Sequence, residues 1–178
     1  MKLLALAATM LSIHPAEGQD GESSLYPFIP IQSVATKRVA ADGSLTCSMF
    51  INGERQNEGC DPAGRAEQAL RQLGREAELT MVFSIVPAGS SAPSEHGEAG
   101  ELIVEARAQL QVDADGRVAE CRQSVRRVLR SAAGVRAAPD LCRAYRVGHR
   151  MFVPDSGTAS RSADLSVLLF FRERADRR

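Results

Sequence analysis

The sequence lacks any apolar run long enough to cross a membrane. The longest run, residues 3–13, has eleven residues, whereas a membrane-spanning helix needs about 20. It follows Lys2 and precedes Ala16 and Gly18, which are small residues at the −3 and −1 positions of a cleavage site. We therefore predict a cleaved signal peptide over residues 1–18 and an exported, periplasmic chain without a membrane span.

The sequence also lacks the residue spacing of a metal or catalytic site. It has no C-x-x-C pair, and only His96 and His149 follow the predicted signal peptide. Neither histidine accompanies a Gly-x-Ser-x-Gly motif that would provide a nucleophile. We therefore predict no metal, no cofactor and no enzymatic activity.

Net charge is absent as well, but the charges are unevenly distributed. Residues 1–100 contain 7 Lys/Arg and 12 Asp/Glu, whereas residues 101–178 contain 15 and 10. Attraction between the two halves is one interpretation of this asymmetry. A nucleic-acid partner is not favoured, because no aromatic residues cluster among the arginines.

The second half begins with a regular alternation of residue types. Between residues 104 and 113 every second residue is apolar, which predicts an antiparallel strand with one buried face. Asp115-Gly116 supplies the residues of a tight hairpin. The other predicted elements are a return strand carrying Cys121, a short helix opened by Pro139 and ended by Gly148, and a last strand over residues 165–171.

The first half repeats this order of elements. Its strand, turn, return strand, helix and last strand are predicted at residues 33–40, Asp42-Gly43, residues 45–51, residues 62–73 and residues 79–86. We therefore predict an α+β protein of two small β-β-α-β units with antiparallel sheets. The units cover residues 19–90, interpreted as a diverged repeat, and residues 101–178. A linker rich in Ser, Gly and Pro, residues 91–100, separates them.

Several short motifs of the second half match those of a known family. They are Asp115-Gly116-Arg117-Val118, Cys121, Ser131-Ala132-Ala133-Gly134, Cys142 and Phe152-Val153-Pro154. With them, residues 101–172 resemble the C-terminal domain of the TonB family, in particular its small exported members. The resemblance implies a non-catalytic binding or adaptor module that takes up a partner segment, such as part of an outer-membrane transporter, as an added strand.

The four cysteines predict two disulfides, because the chain is expected to be exported. Four cysteines allow three pairings. The predicted fold favours Cys121 with Cys142, since one lies on a strand and the other on the facing helix, and by analogy Cys47 with Cys60. A zinc site is the alternative.

The last predicted strand has two largely apolar faces. Alternate residues from Leu165 to Phe171 form one face, which we expect to pack under the helix. Ser166, Leu168 and Phe170 form the other, and an apolar face beside an unpaired edge requires a cover. The first half of the chain, a second copy and a partner strand are the three possible covers. We favour the last two and predict that these three residues bind a partner strand or a second copy of the chain, the latter giving a homodimer.

Exposed arginines provide a second candidate surface. They lie at positions 122, 126, 127, 130, 136, 143, 146 and 150. A basic face for anionic lipid, peptidoglycan or an acidic segment is one interpretation, and an ordinary solvated surface is the other. We include Arg143 and Arg146 among the predicted partner-binding residues.

An alternative function rests on residues 155–158, which read Asp-Ser-Gly-Thr, the order found in aspartic protease loops. That chemistry needs two carboxylates that share a proton, so a single copy requires a dimer. A dimeric aspartic-type hydrolase using Asp155 is therefore the alternative, and a turn before the last strand is the interpretation that we favour.

Overall fold

Seven strands form one antiparallel sheet in the part of the chain that the structure describes. The structure is a computed structural model, and it describes residues 25–56, 70–91, 100–154 and 160–173. The strands are β1 (Ile31–Val39), β2 (Leu45–Ile51), β3 (Glu54–Gln56), β4 (Ala77–Pro87), β5 (Glu101–Val112), β6 (Val118–Val128) and β7 (Arg161–Glu173). Their order across the sheet is β3-β2-β1-β4-β7-β5-β6. One helical turn, α1 (Leu141–Ala144), lies between β6 and β7.

The prediction of an α+β fold with two separate β-β-α-β units is wrong. Strand β4 of the first half pairs with β7 of the second half along its whole length, from Ala77 opposite Glu173 to Pro87 opposite Ala163. Both halves therefore share one sheet, and the described residues are almost entirely β-structure and turns. The physical reason lies in β4 and β7, which carry apolar residues on both faces and therefore occupy the centre of a larger sheet.

Two local predictions for the second half, the strand β5 and the hairpin after it, are confirmed. The alternation in β5 is confirmed, because Val104, Ala106, Ala108, Leu110 and Val112 are all buried. The hairpin at Asp115-Gly116 is confirmed as well, since Gly116 N–H donates to Asp113 O and Gly116 has φ +76°. The return strand is longer than expected, because β6 continues beyond Cys121 to Val128.

The predicted helix of the second half is much shorter than expected. The helix expected between Pro139 and Gly148 is the single turn α1, capped by the Asp140 side chain, which accepts from Arg143 N–H at 3.0 Å. Of the first-half helix, Leu70 and Arg71 are helical and Gly74, with φ +66°, follows as predicted. Residues 57–69, which include the rest of this predicted helix, lie outside the described part of the chain.

One face of the sheet carries the hydrophobic core. Alternate residues of β4, β5 and β7 contribute to it, including the predicted face from Leu165 to Phe171. The segment from Ala138 to Phe152, called the cover below, lies over this face together with Leu70. Leu70, Leu141 and Phe152 are fully buried. Aromatic contacts join the cover to the sheet and to the N-terminal segment: the rings of Phe83 and Tyr145 stack at 6.2 Å, and those of Phe28 and Phe152 meet edge-on at 5.0 Å. Burial raises the pKa of the Tyr145 hydroxyl above its ordinary range.

A disulfide fastens the cover to β6. The Sγ atoms of Cys121 and Cys142 are bonded at 2.04 Å, with 5.5 Å between the Cα atoms, which confirms the predicted pairing. Cys47 also takes part in a disulfide. Its predicted partner Cys60 lies outside the described residues.

Several predictions fall on parts of the chain that the structure does not describe. These are the signal peptide over residues 1–18, most of the linker over residues 91–100, and Asp155 with the rest of its protease-like motif. Among the described helical residues, none forms a helix long and apolar enough to span a membrane.

Candidate functional site

The predicted binding strand lies in the interior of the sheet. Strand β7 pairs with β4 on one side and with β5 on the other. Its backbone groups are therefore used by two ladders, and it offers no open edge to a partner strand. Strand addition at Ser166, Leu168 or Phe170 is thus excluded by the sheet order, although their side chains remain on a face of the sheet.

The predicted partner-binding residues do not form one site. Ser166, Leu168 and Phe170 lie on the face opposite the core, where Leu168 pairs with Val82 and is only 8 % exposed. Arg143 lies on α1, which covers the core face, and Arg146 follows it. The sheet therefore separates the two groups.

The long open edge of the sheet is β6. It has eleven residues, and within the described ranges its only ladder is with β5. Leu129 N–H donates to Ile103 O at 2.8 Å, towards β5. Because N–H and C=O directions alternate along an antiparallel strand, Val128 and Arg126 direct these groups away from β5.

The beginning of β6 is already covered. Val118 N–H donates to His149 O at 2.9 Å, and Gly148 N–H donates to Val118 O at 2.8 Å. The open part of the edge therefore starts after Val118 and extends to Val128. A register shift against β5 between Arg107 and Ala108 divides it by a bulge at Ser124.

Among the described residues, the opposite edge of the sheet is divided between β3 and residues 45–48 of β2. Strand β3 has three residues, Glu54–Gln56, and pairs with only the last part of β2. Short, charged edge strands discourage pairing with another chain. The edge at β6 is therefore the better candidate for an added strand.

The side chain of Gln123 holds the cover beside the open edge. Its Nε2 donates to Pro139 O at 3.1 Å, and its Oε1 accepts from Leu141 N–H at 3.2 Å. Arg126 acts similarly, with its Nε donating to Ala138 O at 3.1 Å. These bonds and the disulfide fix the cover to the core face of β6, and no described residue forms a main-chain bond with the outer edge after Val118.

On the face of the sheet opposite the core, a buried carboxylate binds two arginines beside this edge. Glu105 of β5 is 7 % exposed, and its Oε2 accepts from Nε and Nη2 of Arg127 at 2.8 and 2.5 Å. Its Oε1 accepts from Nε of Arg107 at 2.8 Å. The bonds from Arg127 lower the pKa of Glu105, and those from Arg107 act in the same direction. Both arginine side chains stay more than half exposed.

This edge escaped prediction from the sequence because β6 does not alternate. After Cys121 its residues are mainly arginine and other polar types, which resemble a loop more than a half-buried strand. The signal available was the high proportion of arginine itself, since charged residues are typical of exposed edge strands.

Comparisons with protein-family models, with curated proteins and with solved structures found no match to this chain.

Proposed function

We propose that this protein is a non-catalytic binding module that takes up an extended peptide segment as an additional strand beside β6. The observation that carries the proposal is the open edge itself: among the described residues, β6 has a ladder with β5 on one side and, after Val118, no main-chain partner on the other. Strand addition satisfies the main-chain groups of both partners, and side-chain contacts then select the sequence.

Strand β6 is held in place by its neighbours, which supports this role. Strand β6 is held to β5 by the ladder from Val104 to Val112 and to the cover by the disulfide of Cys121. A strand fixed in this way loses little further conformational freedom on binding, which favours affinity. A periplasmic location and an outer-membrane transporter segment as partner belong to the same proposal, through the resemblance to the TonB C-terminal domain.

The test begins with a library of random ten-residue peptides displayed on phage and selected on the purified protein. Selected peptides are then titrated into isotopically labelled protein. We expect the amide signals of Arg126 and Val128 to shift most and to gain protection from hydrogen exchange. Bound peptides that leave the β6 amides unchanged would contradict the proposal.

A proline at Val128 tests the main-chain contact directly. Val128→Pro removes an N–H that points away from β5 and leaves the β5–β6 ladder intact. We expect about tenfold weaker peptide binding for this variant. Val128→Ala, which keeps the N–H, is the matched control and should bind like the wild type. Circular dichroism verifies that both variants are folded.

A further inference from the structure

We infer that the segment bound at β6 is acidic. This inference rests on the proposed function and adds the chemical class of the partner. The region from Arg117 to Arg150 contains nine arginines and only two acidic residues, Glu120 and Asp140. Two acidic residues of β5, Glu101 and Glu105, also pair with Arg130 and Arg127. The nine arginines outnumber these four carboxylates, so an excess of positive charge remains beside the open edge.

The arginines approach the edge from both faces of the sheet. Arg122 pairs with Gln109 and Arg127 with Glu105, which places both arginines on the face opposite the core. Arg126 pairs with Ala106 on the core face, where its Nη1 contacts Asp140 at 3.2 Å, and Arg143 lies on the cover beside it. A strand added to β6 would therefore lie between two groups of arginines.

The side chains of Arg127 and Arg107 are positioned before any partner binds. Arg107 binds Glu105 through its Nε, and Arg127 binds it through its Nε and Nη2. Both arginine side chains are thereby fixed at the surface, while Nη1 of Arg127 and both Nη groups of Arg107 make no bond to Glu105. Both side chains are more than half exposed, at 59 % and 56 %. Guanidinium groups bind carboxylates through paired N–H donors, and fixing them in advance reduces the entropy lost on binding.

The geometry of strand addition identifies where the acids belong. In an antiparallel pair, directly opposed side chains have Cβ atoms about 4.5–5.5 Å apart, and opposite charges there attract. An added strand would place alternate side chains next to Arg127 and Arg122 on one face and next to Arg126 on the other. Acidic residues at these places would pair with arginines, whereas basic residues would be repelled.

Two other occupants fit the structure less well. A second copy of β6 would bring arginine rows together, which disfavours a homodimer through this edge. A flat anionic membrane would contact arginines of one face only, whereas the arginines here flank the edge on both faces. An acidic extended peptide uses both groups together with the main-chain donors.

The experiment compares three synthetic ten-residue peptides, with threonine alternating with glutamate, glutamine or lysine. Binding is measured by isothermal titration calorimetry, and the site is identified from the amide signals of Arg126 and Val128. We expect the glutamate peptide to bind best, the lysine peptide to bind worst, and the affinity of the glutamate peptide to fall as salt is added.

Substitution of single arginines tests which of them attract the acidic peptide. Arg122→Gln and Arg127→Gln should each weaken the glutamate peptide about two- to fivefold and leave the glutamine peptide nearly unchanged. Because Arg127→Gln leaves the buried Glu105 with Arg107 alone, circular dichroism must first show that this variant is folded. Arg55→Gln, on β3 at the opposite edge, is the matched control and should change neither. An added vesicle sample containing phosphatidylglycerol tests the membrane alternative, and sedimentation velocity tests the second copy.

The outcomes separate this inference from the proposed function. Equal binding of all three peptides with shifts at Arg126 and Val128 would overturn the preference for acids and leave strand addition standing. Peptides that bind without affecting these amides, or that do not bind at all, would overturn both. Binding to vesicles in place of the glutamate peptide would assign the arginines to a membrane, and self-association through β6 would assign them to a dimer.

Discussion

Gly116 lies directly under the backbone of Phe152. The N–H groups of Met151 and Phe152 both donate to Gly116 O at 3.0 Å, and a Cβ atom on Gly116 would overlap the carbonyl oxygen of Phe152. These bonds hold the hairpin between β5 and β6 against residues 148–152, which also bond to the beginning of β6. Only glycine provides both the positive φ of +76° and the necessary space at this position.

We expect Gly116→Ala to be much more destabilising than Gly43→Ala. Gly43 follows Asp42 in the other Asp-Gly turn and has φ +79°, but nothing lies within 4 Å of a Cβ atom built there. Gly43→Ala should therefore cost only the backbone strain, about 1 kcal/mol. Gly116→Ala adds a collision with main-chain atoms and should cost at least about 2 kcal/mol more. Urea unfolding measures both, and equal losses would refute the close approach.

Loss of the disulfide should destabilise the cover of the core. The bond between Cys121 and Cys142 closes a loop with a sequence separation of 21, and a loop of this size is worth about 3 kcal/mol in the chain-entropy model. We expect Cys121→Ala/Cys142→Ala to lower the free energy of unfolding by about that amount.

Thiol labelling provides the complementary measurement for the native protein. The structure contains no free cysteine among the residues it describes, so labelling under denaturing, non-reducing conditions should modify neither Cys121 nor Cys142. A labelled thiol at either position would contradict the structure.

Glu105 should make stability depend on acidity. Its folded-state pKa is lowered below the ordinary 4.5 by its bonds to Arg127 and Arg107. The carboxylate therefore stabilises the fold fully above pH 4.5, and this contribution is lost as the pH falls through the lowered pKa. At neutral pH we expect Glu105→Gln to lose about 1–3 kcal/mol of unfolding free energy.

The difference between wild type and Glu105→Gln should shrink as the pH falls below 4.5. Glu120→Gln is the matched control on the neighbouring strand, because Glu120 forms an exposed pair with Arg122 at 3.0 Å. It should change stability by less than about 1 kcal/mol at any pH. A difference for Glu105→Gln that stays constant with pH would show that its charge does not stabilise the fold.

The sequence alone determined the local elements of this protein. Alternating residues predicted β5, and two Asp-Gly pairs predicted the hairpins at Gly43 and Gly116. The expected strand and facing helix predicted the bond between Cys121 and Cys142. These features are local or depend on a few distinctive side chains. Alternation records which face of a strand is buried, and a turn with positive φ needs glycine.

The tertiary structure alone decided which strands are neighbours. Strands β4 and β7 looked like the last strands of separate units, yet they pair with each other at the centre of one sheet. Because of this pairing, the open edge is β6 and not the predicted β7, so different residues can contact a partner. The apolar residues on both faces of β4 and β7 indicate a central position in a sheet. They do not indicate which strand lies beside which, because ladders form between main-chain groups that almost every residue has in common.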